Sequence, residues 1–169
     1  MKIFGVTGWK NSGKTTLMER LVAAFASSGY RVATVKHAHH GFDVDQSGTD
    51  SFRHRAAGAS ETVLVSSRRW ALMHELRDGE DEPALSEILA KLSPCDLVLV
   101  EGFKNEPHPK IECRRLEARD RTPLAGTVAG IVAVASDHPV ADSLPSFNLN
   151  DVEAIASFIA ACLHLKSTP

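Results

Sequence analysis

The sequence predicts an α/β fold in which a mostly parallel sheet is flanked by helices, and three observations carry that expectation. Apolar segments of strand length alternate with segments of helical spacing along nearly the whole chain. The run Asp96-Leu97-Val98-Leu99-Val100-Glu101 is almost unbroken in apolar character, as in a strand buried on both faces. Lys2 to Thr7, a glycine-bearing loop and the periodic segment Leu17 to Phe25 together form a strand, loop and helix unit.

The elements follow in order. After the first helix, Ser27-Ser28-Gly29-Tyr30 supplies a stop, and Arg31 to Lys36 reads as the second strand. A polar segment from His37 to Asp50 precedes a short helix from Ser51 to Ala57, ended by Gly58. Glu61 to Val65 and Arg69 to Met73 are strand-like. Pro83 to Leu92 is helical, with Leu85, Ile88, Leu89 and Leu92 on one face. Asp96 to Glu101, Ile111 to Leu116 and Gly130 to Ala135 are further strands. The last helix runs from Val152 to Leu163, with Asn150 or Asp151 as its N-cap. No repeat or linker divides the 169 residues, so a single domain over 1–169 is expected.

Composition narrows the function classes. A formal charge of −2 gives no global attraction to nucleic acid, and no apolar run has the length of a membrane span. The three cysteines, Cys95, Cys113 and Cys162, are far apart and form no C-x-x-C, which argues against a disulfide framework or structural zinc. The chain enters a strand at once, leaving no room for a signal peptide, and a cytoplasmic location is expected.

Gly8-Trp9-Lys10-Asn11-Ser12-Gly13-Lys14-Thr15 matches G-x-x-x-x-G-K-[ST] between the first strand and helix, the setting a Walker A phosphate cradle requires. Backbone N–H groups of such a loop and of the first helical turn converge on anionic oxygens. Gly8, Lys10, Asn11, Ser12, Gly13, Lys14, Thr15 and Thr16 are therefore the expected nucleotide-binding residues. Gly8 and Gly13 supply backbone freedom, Lys14 reaches the β and γ oxygens, and the Thr15 hydroxyl ligates Mg²⁺. The fold expectation sharpens accordingly to a P-loop NTPase-type sheet.

Ligands of open α/β sheets gather at the carboxyl ends of the strands. Five residues of extended chain span roughly 16 Å, so Asp96 and Glu101 cannot both lie near the phosphates. Glu101 holds the carboxyl end, as a metal contact or as the group that positions attacking water. Asp96 caps the strand's start. Lys104 lies near enough to add positive charge. Asp137 ends the strand near Ala135, where its carboxylate suits the paired donors of guanine; an ordinary turn is the alternative. Trp9 is too large for burial in the cradle and is free to stack on a ligand. The segment from His37 to Asp45 holds three histidines and two aspartates. It admits three readings: an active-site loop contacting Mg²⁺, phosphate or substrate, a solvated loop, or a transition-metal site. Arg53 and Arg55 offer bidentate forks for phosphate, with a solvated helix face as the alternative for either one.

These residues together resemble the molybdopterin-guanine dinucleotide biosynthesis protein B (MobB) family. The match comprises the loop as G-x-x-N-S-G-K-T, Val35-Lys36-His37-Ala38-His39-His40, Phe42-Asp43-Val44-Asp45, Gly48, Asp50-Ser51, Arg53, Arg55 and Ala57-Gly58-Ala59. It continues through Leu99-Val100-Glu101-Gly102-Phe103-Lys104 and Pro109-Lys110-Ile111-Glu112. Where the family often carries Pro-Gly-Lys-Asp, this chain has Ser47-Gly48-Thr49-Asp50, without the lysine. The resemblance implies the signal-recognition and MinD-like branch of P-loop proteins. It implies a GTP-binding accessory protein with weak GTPase activity, forming a homodimer and working with the guanylyltransferase that attaches guanosine monophosphate to molybdopterin. Lys14 and Glu101 then stand as catalytic residues, Thr15, Glu101 and Asp45 as Mg²⁺ contacts, and His39, His40 and Arg53 as a loop toward substrate or phosphate; molybdopterin itself is a possible ligand. No arginine finger lies within the motif, so turnover is expected to be slow. Two other classes remain open: a nickel metallochaperone GTPase, and an adaptor that binds nucleotide or pterin without turnover.

Overall fold

The computed structural model describes residues 1–38 and 41–166, so His39 and His40 lie outside the described residues. The described chain forms two compact units. One comprises residues 1–37 with the chain from 89 onward, and the other residues 38–88.

The larger unit is built on a six-stranded sheet. Its strands are β1 (Lys2–Thr7), β2 (Val32–Lys36), β5 (Leu97–Glu101), β6 (Lys110–Arg114), β7 (Ile131–Ser136) and β8 (Ser146–Asn148). Their order is β2-β5-β1-β6-β7-β8, and every pairing is parallel. Alternate residues Phe4, Val6, Leu97, Leu99, Ile111, Cys113, Ala133 and Ala135 feed one core. Helices α1 (Lys14–Ser27) and α4 (Val152–Leu163) close over that core. Helix α1 contributes Leu17, Met18, Leu21 and Phe25, and α4 contributes Ile155, Ile159 and Leu163, at the three- and four-residue spacings of a single helical face. The opposite alternation, Val98, Val100 and Val134, is equally buried, which is why these strands read as continuous apolar runs.

Register places the chemistry. Strand β5 lies between β2 and β1, so Glu101 stands opposite both Lys36 and Val6 at the carboxyl edge. At the other edge the Asp96 carboxylate accepts the Arg31 amide at 2.8 Å, the strand-start role expected of it. Strand β6 stops at Arg114 instead of continuing to Leu116, because the Leu116 amide turns to the Asp137 carboxylate at 3.0 Å. The short strand β8 was not expected. Three residues behind Pro145 are too few to display a period of two.

The smaller unit holds α2 (Asp50–Ala56) and the antiparallel hairpin of β3 (Glu61–Val65) with β4 (Trp70–His74). Thr49, which stands where the family often has lysine, is the N-cap of α2 and accepts the Phe52 amide at 3.5 Å. Arg55 gathers this unit. Its guanidinium donates to Asp45 through Nε at 3.3 Å and through Nη2, to Asp43 at 3.0 Å and to Glu75 at 3.0 Å. A fork so occupied is a clamp between loop and hairpin, not the free phosphate grip its sequence suggests. Helix α3 (Leu85–Ala90) is shorter than the 83–92 periodicity implies and is opened by the Glu87 carboxylate accepting the Ala84 amide at 2.8 Å.

Candidate functional site

The loop between β1 and α1 has left-handed backbone at Asn11 (φ 64°) and Gly13 (φ 89°), and Gly8 has φ 145°. Asparagine is among the few residues other than glycine that adopt this region at low cost. A Cβ at Gly8 would fall 2.5 Å from Ser12 Oγ and 2.6 Å from the Cys113 carbonyl oxygen, so only glycine fits the bend. A Cβ at Gly13 would meet Leu149 at 2.9 Å.

Gly13 is the N-cap of α1, yet no side chain caps the helix. The first backbone bond of the helix runs from the Leu17 amide to the Gly13 carbonyl at 3.0 Å. The amides of Lys14, Thr15 and Thr16 therefore have no intrahelical acceptor, and they carry the positive end of the helix dipole. Such an end, left without the Ser, Thr or Asp that ordinarily satisfies it, is built to receive an anion.

Four side chains, Thr15, Glu101, Lys36 and Lys14, belong to this end of the sheet. The Thr15 hydroxyl lies 3.3 Å from Glu101 Oε1, and the Lys36 ammonium lies 3.5 Å from the same oxygen. The Lys14 ammonium donates to the Trp9 carbonyl at 2.7 Å, folded back on its own loop. Burial pulls Lys14 below the ordinary lysine pKa; Glu101 opposes that fall, and the Lys104 and Lys36 charges add to it. Glu101 is buried, and these partners engage its carboxylate. Ser12 is also buried, and its hydroxyl has no hydrogen-bond partner among the described residues.

The structure thus brings Gly8 to Thr16 and Glu101 to one place. Lys10 and Asn11 are exposed along the same loop. Asp137 follows β7. Its Oδ1 accepts the Leu116 amide at 3.0 Å and faces His138 Nδ1 at 2.8 Å, and its Oδ2 lies 3.6 Å from Arg115. The His138 contact is the main cause holding this carboxyl below the usual aspartate range. The Arg115 stem also packs against Gly13, which links Asp137 to the loop. Asp45 and Arg53 belong to the smaller unit, where Asp45 is engaged by Arg55 and Arg53 is exposed. Among the described residues, no group of three His, Cys, Asp or Glu is placed to hold a metal ion, and no helix is long and apolar enough to cross a membrane.

Some contacts at the site were not foreseen from the sequence. Lys36 reaches Glu101 only because β2 neighbours β5, which no local pattern reveals. Trp9 is not free for stacking on a ligand: its indole N–H donates to the Thr122 carbonyl at 2.7 Å, and the Lys104 ammonium lies 4.1 Å from the ring centroid. Glu112 is a buried anchor that accepts the Leu124 and Ala125 amides, each at 2.9 Å, and pairs with Arg114 at 2.7 Å. A charged residue within an apolar strand is the only sequence sign of that role.

Comparison with known proteins gives the family. The family model described as molybdopterin guanine dinucleotide synthesis protein B matches residues 3–137. The chain is 40% identical over 159 residues to the molybdopterin-guanine dinucleotide biosynthesis adapter protein of Escherichia coli, covering 93% of this chain and 90% of that one. It is 39% identical over 165 residues to the protein of the same description from Haemophilus influenzae, covering 96% and 89%. The crystal structure of a MobB protein homolog from Bacillus stearothermophilus superposes with a TM-score of 0.74 at 30% identity, over 98% of this chain and all of that one. That of Bacillus subtilis MobB gives 0.75 at 26% identity, over 99% and 100%. With its fold and most of its length shared in this way, the chain belongs to the MobB family.

Proposed function

We propose that this protein is a GTP-binding adapter of molybdenum cofactor maturation. It acts with the guanylyltransferase that converts molybdopterin to its guanine dinucleotide form, and it hydrolyses GTP slowly. The observation that carries the nucleotide reading is the uncapped amino end of α1, whose free amides stand beside Lys14, Thr15 and the buried Glu101. The adapter role comes from the relatives, which are described as adapter proteins of that biosynthesis.

The side chains fit a magnesium nucleotide. Thr15 and Glu101 present a hydroxyl and a carboxylate, the hard oxygen donors that Mg²⁺ prefers. When bound, the ion would neutralise charge on the β and γ oxygens. The protein's own work is positional. The loop amides hold the phosphate chain, and Lys14 leaves the Trp9 carbonyl to meet it. Glu101 is placed to orient a water or the ion. Guanine selection rests on Asp137, whose Oδ2 retains acceptor capacity while Oδ1 takes the Leu116 amide.

Thermal-shift titration with GTP, GDP and ATP, with and without Mg²⁺, tests the reading. GTP with Mg²⁺ is expected to stabilise the wild type most, and Lys14→Ala to abolish that response. Equal responses to GTP and ATP would remove the guanine assignment, and an unchanged response in Lys14→Ala would remove the cradle. A second reading, nucleotide binding without turnover, is favoured by the word adapter in the relatives' descriptions. Phosphate release at the level of a protein-free blank selects it.

A homodimer is part of the proposal. Val63, Val65, Trp70 and Leu72 occupy one face of the β3–β4 hairpin, at 57%, 78%, 65% and 43% exposure. A contiguous apolar face of this kind marks an interaction surface.

A further inference from the structure

We infer that Lys36 and Lys104 complete the phosphate site begun by Lys14, with the Trp9 ring as the shelf that positions Lys104. Together they discriminate a nucleoside triphosphate from a diphosphate by its terminal charge. This rests on the nucleotide-binding reading and extends it to the selection of nucleotide state.

Lys36 ends β2 and addresses the same oxygen of Glu101 as the Thr15 hydroxyl. The two groups are therefore no farther apart than those two contacts allow, and Lys36 reaches the rim of the cradle. Its side chain is 60% exposed, whereas that of Glu101 is 10% exposed. The carboxylate is the fixed partner and the ammonium the movable one, free to swing to an incoming anion.

Lys104 arrives by a built turn. Gly102 (φ 94°) and Phe103 (φ 46°) are both left-handed, and the second is an uncommon conformation for a bulky residue. The His37 ring lies 4.7 Å from the Phe103 ring, and a Cβ at Gly102 would fall 2.9 Å from His37 Cβ. The turn carries the Lys104 ammonium back over Trp9, 4.1 Å from the ring centroid. Trp9 is itself pinned through its indole N–H to the Thr122 carbonyl at 2.7 Å. A cation over an indole face is held without being neutralised, so its charge remains available to a ligand.

The Lys36 and Lys104 charges thus both act on Lys14, and the buried Glu101 pairs with Lys36 and attracts Lys14. The excess positive charge is compensated when a polyphosphate enters. The contribution is greatest for the terminal phosphoryl group, which carries the most charge and lies farthest along the chain from the loop amides. In the absence of an arginine finger in the loop motif, these lysines supply that charge from the same chain.

Equilibrium titration with a non-hydrolysable GTP analogue and with GDP, in Mg²⁺, tests the inference. Lys36→Gln and Lys104→Gln are each expected to weaken the analogue about tenfold, the scale of one partly screened charge-assisted contact, and GDP less than about twofold. Lys104→Arg should retain wild-type affinity for the analogue. Trp9→Leu should reproduce the Lys104→Gln loss, and the double variant should be no weaker than either single one, because both remove the same contact. Lys2→Gln, at the amino edge of β1, controls for general charge and should change neither affinity. Variants that bind the analogue as the wild type does, or that lose both nucleotides equally, overturn the inference while leaving the nucleotide reading intact. A wild type that binds neither nucleotide overturns both.

Discussion

Gly13 stands where most helices place a serine, threonine or aspartate, and its missing side chain leaves three amides for a ligand. A protein that needed only stability would have capped this helix. Glu101 follows the same logic: it is buried, and among the described residues its carboxylate meets a hydroxyl and an exposed lysine. His108 is the counter-example, a half-buried residue whose ring nitrogens are enclosed for structure. It packs where a Cβ on Gly5 would lie 2.6 Å from Nε2, and neither ring nitrogen has a partner. Burial, with the Lys110 charge adding to it, pushes its pKa down to about 4. The unfolded chain therefore binds more protons than the folded one between about pH 6.5 and about pH 4, and stability falls as pH drops through that window. Replacing the imidazole by a non-titrating side chain, His108→Gln, should flatten that part of the profile. Melting temperatures measured from pH 7 to pH 4 decide it; an unchanged slope would remove His108 as a cause. At this scale the loop was legible because its residues are contiguous. The roles of Lys36 and Trp9 were not, since their partners at Glu101 and Thr122 lie far along the chain.

Elements were legible where their patterns were long. Helix α4 spans the residues that its apolar spacing predicts, and the structure selects Asp151 over Asn150 as the cap, its carboxylate accepting the Ala154 amide at 3.1 Å. Asp151→Ala should cost about 1 kcal/mol of stability, and Asn150→Ala much less. Denaturant midpoints of the two variants test this, and equal losses would reverse the assignment. Strand β8 escaped notice through brevity, and the end of β6 through a side chain, Asp137, that captures the next amide. Thr49 shows how an element can reuse a departure from family pattern. The missing lysine leaves a hydroxyl that starts α2.

At the scale of the whole molecule, the hairpin of the smaller unit presents more apolar surface than an isolated two-stranded ribbon can carry in water. Introducing a charge with Trp70→Glu should shift a micromolar sample from dimer to monomer in sedimentation equilibrium; a monomeric wild type would dismiss the dimer. Sequence by itself determined the α/β class, the glycine-bearing loop between β1 and α1, Glu101 at a strand's carboxyl end and the MobB resemblance, because each is written in adjacent residues or in a local period. Tertiary structure alone decided that β5 lies between β2 and β1, that Lys36 pairs with Glu101, and that Arg55 is spent on Asp43, Asp45 and Glu75. The physical reason is that strand order and the direction of a charged side chain are set by packing between segments distant in sequence, which no local pattern encodes.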